Sequence, residues 1–165
     1  MRAILKWVLM ALVAAAPGAA LAQQLQKQLE GSWALVSLIA IEKDGKKTEP
    51  FGPTPAGYMN FDRSGHFSIL IFRPGTPKFA SDNRMRGTAA ENQAVVQNSN
   101  AYYGTYKASD KDGTVDLHIA QGTYQNWTGM DQKRTVKFSG DELRIANPTS
   151  ATGGAGAELV WKRTK

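Results

Sequence analysis

Apolar and polar residues alternate over most of the chain beyond residue 30, in short runs that end at turn residues. A period of two is typical of β-strands with one buried face, and Asp-Gly pairs are typical of tight hairpin turns. The pattern predicts nine strands: Trp33–Ile41, Gly57–Phe61, His66–Arg73, Ala101–Lys107, Thr114–Ala120, Gly122–Trp127, Gln132–Phe138, Glu142–Ala146 and Ala157–Arg163. Short connections favour antiparallel neighbours, so we expect an all-β fold, an up-and-down antiparallel β-barrel of about 8–9 strands. A two-sheet sandwich is the competing architecture.

One segment departs from the strand pattern. Thr88 is followed three residues later by Glu91, which is the signature of a capping box at the start of a helix. We therefore expect one short helix over residues 89–98, with Ala90, Ala94 and Val95 as its buried stripe. The long loop before it, residues 74–87, and the helix together either cover one end of the barrel or cross its surface.

The N-terminus has the pattern of a signal peptide. Arg2 and Lys6 precede an apolar run from Trp7 to Ala16, and Ala20-Leu21-Ala22 offers small residues for cleavage. The apolar run is about half of the roughly 20 residues that a membrane span needs. We expect residues 1–22 to be removed after Ala22, which leaves one domain over residues 23–165. We also expect periplasmic or secreted localisation, and no stable membrane insertion after cleavage.

Composition excludes several classes of function. The sequence contains no cysteine, so stability must come from burial rather than from disulfides. The formal net charge is +6, but the basic residues are scattered singly or in pairs, which argues against nucleic-acid binding and leaves a mild preference for anionic ligands. The two histidines are far apart in the sequence and make no recognisable metal motif. We predict no metal, no cofactor and no assigned catalytic residue.

Period-two counting places apolar and cationic residues on the same inner faces. Phe67 and Ile69 share a face with Arg73, and Val136 shares one with Arg134. Such a lumen suits an amphipathic guest whose anionic group meets an arginine. The predicted ligand-binding residues are Arg73, Arg134, Tyr106, Tyr58, Trp127, Phe67, Ile69 and His118. The alternative for both arginines is a solvated position at the barrel rim, or pairing with Asp62, Asp116 or Asp131.

Two sets of motifs carry a resemblance to known families. Gly31-Ser32-Trp33, together with basic residues after Trp161, resembles the first and last strands of lipocalins and other calycins. In order along the chain, Pro50-Phe51-Gly52-Pro53, Gly57-Tyr58-Met59, Arg73-Pro74, Lys78-Phe79-Ala80, Tyr103-Gly104-Thr105-Tyr106, Asn126-Trp127-x-Gly129 and Ser139-Gly140-Asp141-Glu142-Leu143 resemble the bacterial and fungal lipocalin-like domain family. The resemblance implies a small β-barrel in which Lys162 or Arg163 stacks on Trp33.

Three functions remain compatible with this sequence. The first is an exported carrier or sensor that binds a small hydrophobic or amphipathic molecule, anionic ones included, in its barrel. The second is a cofactor-free isomerase or cyclase that uses Tyr106, His118 and Arg134 in the same cavity as acid, base and oxyanion partner. The third is a structural or partner-binding barrel whose core is filled by its own side chains.

Overall fold

The computed structural model describes residues 24–164, so the predicted signal peptide lies outside the described residues. In chain order the elements are α1 (Gln24–Leu29), β1 (Gly31–Ile41), β2 (Lys47–Thr48), β3 (Ala56–Phe61), β4 (His66–Phe72), α2 (Ala89–Asn98), β5 (Ser99–Ser109), β6 (Thr114–Gly122), β7 (Asp131–Ser139), β8 (Glu142–Asn147) and β9 (Gly156–Arg163). Single 3-10 turns occur at Arg84–Arg86 and Gln125–Trp127.

The strands close into an antiparallel barrel. Their order is β1-β3-β4-β5-β6-β7-β8-β9, and β9 pairs back onto β1 from Trp33 opposite Arg163 to Ile41 opposite Gly156. Short β2 is added to the end of β1, outside this cycle of eight strands. Closure leaves these eight strands without a free edge. The predicted up-and-down β-barrel is confirmed.

One end of the barrel is covered by α1, and we call it the closed end. Leu25 and Leu29 of this helix are buried, and the indole Nε1 of Trp33 donates a hydrogen bond to the Leu29 carbonyl at 2.8 Å. The Arg163 guanidinium lies over the Trp33 ring, 4.1 Å from its centroid, and donates to the carbonyls of Glu30 and Gln28. The predicted stacking of a basic residue on Trp33 is therefore confirmed, with Arg163 in that role.

Large side chains fill the barrel next to the closed end. Phe61 and Tyr106 meet edge to face with ring centroids 4.7 Å apart, and Leu143 and Trp161, opposite each other on β8 and β9, are fully buried. The inward positions follow the period of two that the sequence shows, as in the alternating burial of β7. Large side chains therefore fill the closed half of the barrel, and the opposite half is not filled in the same way.

The opposite end, where β4, β6 and β8 finish, is called the open end. The helix α2 begins with the predicted capping box, in which the Thr88 side chain accepts from the Glu91 amide and the Glu91 carboxylate accepts from the Thr88 amide. The bounds of the helix match the prediction, but the predicted buried stripe is wrong because none of its residues is buried. The helix lies over the open end and so has no core to pack against.

Three further differences from the sequence prediction are found. Gly122–Trp127 is not a strand: β6 ends at Gly122, and the chain turns through hydrogen bonds from Trp127 N to Tyr124 O and from Thr128 N to Gln125 O. The helix α1 and strand β2 were not predicted. Both are short, and a single turn of helix carries too little periodicity to be seen in a sequence.

Candidate functional site

A cavity of about 620 Å³ occupies the open half of the barrel. Its wall combines inward strand residues such as Ile71 and Leu159, the α2 side chains Val95 and Val96, and Trp127 from the loop after β6. The volume lies within the range of small-molecule sites in proteins, about 300–1,000 Å³. The side chains of this half therefore do not fill it, in contrast to the closed half.

Arg134 is the buried charged group in the wall of this cavity. Only 1% of the residue is exposed, because β7 alternates and directs Arg134 inward between Gln132 and Val136. Its Nη1 donates to the Tyr102 hydroxyl at 3.0 Å, and its Nη2 donates to Gln132 Oε1 at 2.6 Å. Within residues 24–164, Nε has no hydrogen-bond partner.

No carboxylate of the described chain forms an ion pair with Arg134. The three acids expected as alternatives are engaged elsewhere: Asp62 with His66, Asp116 with Lys133, and Asp131 with His118. A guanidinium is always protonated and carries five N–H donors, two of which are used here by neutral acceptors. The cavity wall therefore presents a buried positive charge with donors to spare, the chemistry that recognises an anionic or strongly accepting group.

Tyr102 extends this donor-rich corner. Its hydroxyl accepts from Arg134, so the hydroxyl hydrogen remains able to donate, and its ring lies 5.5 Å from the guanidinium carbon. The Asn100 side-chain oxygen, on the same strand and also on the cavity wall, is buried and has no partner among the described residues. The cavity thus offers donors at Arg134 and Tyr102, and an acceptor at Asn100.

Aromatic rings form one side of the cavity. Trp127 meets Tyr102 edge to face with centroids 5.3 Å apart, and it meets Tyr124 in the same way at 5.6 Å. The loop after β6 places Trp127 there. Gly129 N donates to Ile119 O, and Ile119 N donates to Met130 O, so the chain after Trp127 returns to β6 and continues into β7. Edge-to-face packing fixes the orientations of these rings in the cavity wall.

Comparison with known proteins identifies the family of this barrel. A family model described as a lipocalin-like domain matches residues 30–164. The chain belongs to the lipocalin-like domain family. One relative, the 4'-hydroxy-3'-methoxypropiophenone carrier protein ppsC of Aspergillus oryzae, is 30% identical over 105 residues, covering 58% of this chain and 95% of the relative. The resemblance stated from the sequence motifs is confirmed.

Two solved structures are similar to this lipocalin-like domain. A lipocalin-like protein from Bacteroides uniformis has a TM-score of 0.44 and 14% identity, over 82% of this chain and 98% of that chain. A variant of the fluorescent protein UnaG has a TM-score of 0.39 and 10% identity, over 84% of this chain and 97% of that chain.

Three of the eight residues that the sequence predicted for the site line the cavity of the lipocalin-like domain: Arg73, Trp127 and Arg134. Arg73 follows β4 and lies exposed at the rim, near Gly52 of the proline-rich connector. The prediction placed both arginines near one end. Arg134 instead lies on the buried wall, since it is four residues into β7 rather than at its end.

Two predicted residues lie on the outside of the barrel, and their assignment to the lumen is corrected. The Tyr58 hydroxyl hydrogen-bonds Ser32 Oγ at 2.6 Å across the outer face of β3 and β1. His118 is exposed and its Nδ1 lies 2.8 Å from Asp131 Oδ1 on the neighbouring strand. Both positions alternate with buried inward residues, Met59 and Leu117, so the period of two directs them outward.

Three predicted residues are buried but do not reach the cavity. Phe67 and Ile69 belong to the filled core. The Tyr106 hydroxyl donates to the Asp62 carbonyl at 2.9 Å, and burial, with further contributions from Glu30 and Asp62, raises the pKa of Tyr106 to about 12. Tyr106 and His118 therefore do not meet Arg134, and the predicted acid, base and oxyanion partner of an enzyme are not assembled in one site.

Sequence reasoning missed Tyr102, Tyr124 and Asn100. The signal for Tyr102 was available, because it shares the inner face of β5 with Tyr106 and lies nearer the open end. Tyr124 lies within Gly122–Trp127, the segment that the sequence predicts as a strand. Among the described residues, no group of three His, Cys, Asp or Glu side chains is placed to hold a metal ion. Over the same residues no helix is long and apolar enough to span a bilayer.

Proposed function

We propose that this protein is a carrier of a small amphipathic molecule with an aromatic body and an anionic or strongly accepting group. The observation that supports this most directly is the buried Arg134 on the cavity wall, which has no counterion among the described residues. A buried charge of this kind costs several kcal/mol of desolvation, about what a well-placed ligand carboxylate or phenolate returns. The relative named as a carrier supports the same class of function.

The arrangement of the cavity wall supports one orientation of the proposed guest. Its aromatic body packs against Trp127 and Tyr124, while its accepting group meets Arg134 and the Tyr102 hydroxyl. A hydroxyl on the guest matches the unpartnered oxygen of Asn100. Burial of about 250 Å² of apolar ligand surface contributes about 6 kcal/mol before association costs, so the polar contacts decide whether binding reaches the micromolar range.

A titration with matched probes tests this proposal. The probes are 4-hydroxy-3-methoxycinnamate, its methyl ester, and the propiophenone in the relative's name, each followed by quenching of tryptophan fluorescence and by calorimetry. We expect the carboxylate to bind at least tenfold more tightly than its ester. We expect Arg134→Met to abolish that preference, while Trp127→Leu weakens the carboxylate and the ester alike.

The control for these variants is His118→Gln, which changes an exposed outer residue and is expected to bind like the unmodified protein. Failure of all three probes to bind, or a carboxylate preference that survives in Arg134→Met, contradicts the proposal. Native mass spectrometry of protein purified from its own host then identifies a co-purified guest directly. Export to the periplasm or medium remains part of the proposal and is tested by N-terminal sequencing of that same protein.

A further inference from the structure

We propose that the open end of the barrel docks on an anionic lipid surface. The surface concerned is the segment from Arg73 to Asn98, which we call the mouth segment and which contains the long loop and α2. This inference goes beyond the carrier function and does not depend on which guest is bound, because the residues that carry it furthest, Arg84, Met85 and Arg86, do not line the cavity.

The mouth segment exposes large apolar side chains to solvent. Met85 is 88% exposed at the tip of the 3-10 turn, and Val96 is 76% exposed on α2. Phe72, immediately before the segment, is also exposed. Among the described residues, no other large apolar side chain is as exposed as Met85 and Val96. An apolar tip of this kind on a polar loop is costly in water and is favourable when it enters the boundary between headgroups and acyl chains.

Local hydrogen bonds hold Met85 outward. The side chain of Asn83 accepts from the Met85 amide at 2.9 Å, and Ser81 Oγ donates to the Arg86 carbonyl at 3.1 Å. The Phe79 ring packs directly against Gly87, where any side chain would collide with it. Ala80 N donates to the Glu91 carboxylate at 2.8 Å, which ties the loop to the start of α2. The exposed tip is therefore a built feature of the loop.

The charge of the molecule is concentrated around this apolar tip. The mouth segment carries four basic residues, Arg73, Lys78, Arg84 and Arg86, against two acidic ones, Asp82 and Glu91. Outside the segment, and apart from buried Arg134, residues 24–164 carry twelve basic and twelve acidic residues. The excess positive surface charge thus lies at the open end, with Arg84 and Arg86 on either side of Met85.

This combination favours a lipid surface over an acidic protein. Arginine guanidinium groups bind the phosphates of lipid headgroups, while a flexible apolar side chain between them inserts more deeply, at the boundary with the acyl chains. An acidic protein would pair with the arginines. To bury Met85 and Val96 as well, it would need an apolar pocket at the position of each of these two isolated side chains. Docking in this orientation places the cavity opening against the bilayer, so an apolar guest passes between them without crossing bulk water.

Vesicle binding by single-cysteine variants tests the proposal. The chain contains no cysteine, so Met85→Cys at the mouth and Lys111→Cys in the turn at the closed end each provide one site for an environment-sensitive dye. Vesicles contain equal parts phosphatidylcholine and phosphatidylglycerol, or phosphatidylcholine alone. We expect a blue shift from the dye at position 85 with the anionic vesicles, and none from the dye at position 111.

Charge variants provide the affinity measurement. Each basic residue near an anionic surface contributes about fivefold to binding, so Arg84→Gln with Arg86→Gln is expected to weaken binding to the anionic vesicles about 30-fold. The matched control, Lys111→Gln with Lys137→Gln, removes two exposed charges from the closed half and is expected to bind within about twofold of the unmodified protein. About 1 M salt is expected to release the protein, since the Debye length falls to about 3 Å.

Three outcomes overturn the proposal: no shift at position 85, an equal loss of binding in both double variants, or equal binding to neutral and anionic vesicles. All variants share the same N-terminal residues, so vesicle binding through the N-terminus would be equal in all of them and would not produce the expected differences. The carrier function is tested by the ligand titration with Arg134→Met, whereas these three outcomes test only the role of the mouth segment. The two hypotheses therefore fail in distinguishable ways.

Discussion

At the scale of single residues, two arginines differ in how the surrounding protein compensates their charge. Arg163 lies over Trp33 and donates to two carbonyls near α1, so its charge is matched by acceptors and by an aromatic face. Arg134 is nearly completely buried, and only neutral groups accept its hydrogen bonds. The two arginines therefore differ in how fully the protein satisfies their donors, and this difference is the basis for proposing Arg134 as a ligand-binding residue.

Arg134→Met is expected to leave the free energy of unfolding within about 1 kcal/mol of the unmodified value, or to raise it. The reason is that methionine fills similar space without the desolvation cost of an unpaired charge. Denaturant unfolding of the ligand-free protein measures this. Leu143→Ala in the filled half is the comparison and is expected to lose about 2–5 kcal/mol. A comparable loss in Arg134→Met would assign Arg134 to the fold instead of the ligand.

Arg163→Ala is expected to lower the free energy of unfolding by about 2–4 kcal/mol, because the contact with Trp33 and two charge-assisted hydrogen bonds are lost together. Its neighbour Lys162 is exposed, and Lys162→Ala is expected to stay within about 0.5 kcal/mol. Both variants remove one positive charge from the same strand, so thermal or chemical unfolding separates the contact from the charge. Equal effects in the two variants would refute the role of the stacking.

At the scale of elements, α2 and the loop before it depend on one carboxylate. Glu91 accepts hydrogen bonds from the amides of Ala80 and Thr88 and from the Thr88 hydroxyl. These bonds, that from Ala80 first, lower the pKa of Glu91 below its ordinary value of 4.5. Since α2 buries none of its residues, this end of the molecule is ordered by polar contacts instead of by core packing.

The contribution of Glu91 is expected to depend on pH in a defined direction. Because its pKa is lowered by folding, its stabilising effect is present above the ordinary value of 4.5 and is lost as the pH falls through the lowered value. Amide NMR shifts of Ala80 and Thr88 are expected to titrate together in that acidic range. In Glu91→Gln both titrations should vanish. Titration that persists in this variant would show that another acid is responsible.

At the scale of the whole molecule, closure of the barrel depends on close backbone approach between β5 and β6. The register shifts between Tyr103 and Gly104, which is a β-bulge. At Gly104 the backbone of His118 and Ala120 leaves no room for a side chain. A bulge of this kind increases the local twist that a sheet needs in order to close on itself. The shape of the cavity therefore depends on a glycine that never contacts it.

Gly104→Ala is expected to lower the free energy of unfolding by about 3 kcal/mol or more, since the added methyl group collides with the His118 carbonyl and neither backbone can move without opening the barrel. Gly140→Ala is the control: this turn glycine has open space around it and a φ of 58°, so only the conformational cost of about 1 kcal/mol applies. Chemical unfolding of both variants checks the prediction, and a smaller effect at Gly104 than at Gly140 would contradict it.

Much of the fold was predictable from local pattern. Eight of the nine predicted strands exist because alternation of apolar and polar residues survives in each one, and the capping box specifies the start of α2 through contacts within four residues. The inward direction of Arg134 and the outward direction of Asp116 follow from the same period. The membership of the family was likewise carried by short ordered motifs.

The cavity itself was decided only by tertiary structure. Alternation tells which face of a strand is inward but not how far along the barrel a side chain lies, so Phe67 and Arg134 look equivalent in sequence while one fills the core and the other lines the cavity. The loop that brings Trp127 inward reads as a strand, because its turn depends on hydrogen bonds to β6. Non-local contacts determine how deep a side chain lies in the barrel, whether the sheet closes, and whether a buried charge has a partner. A local sequence pattern does not contain this information.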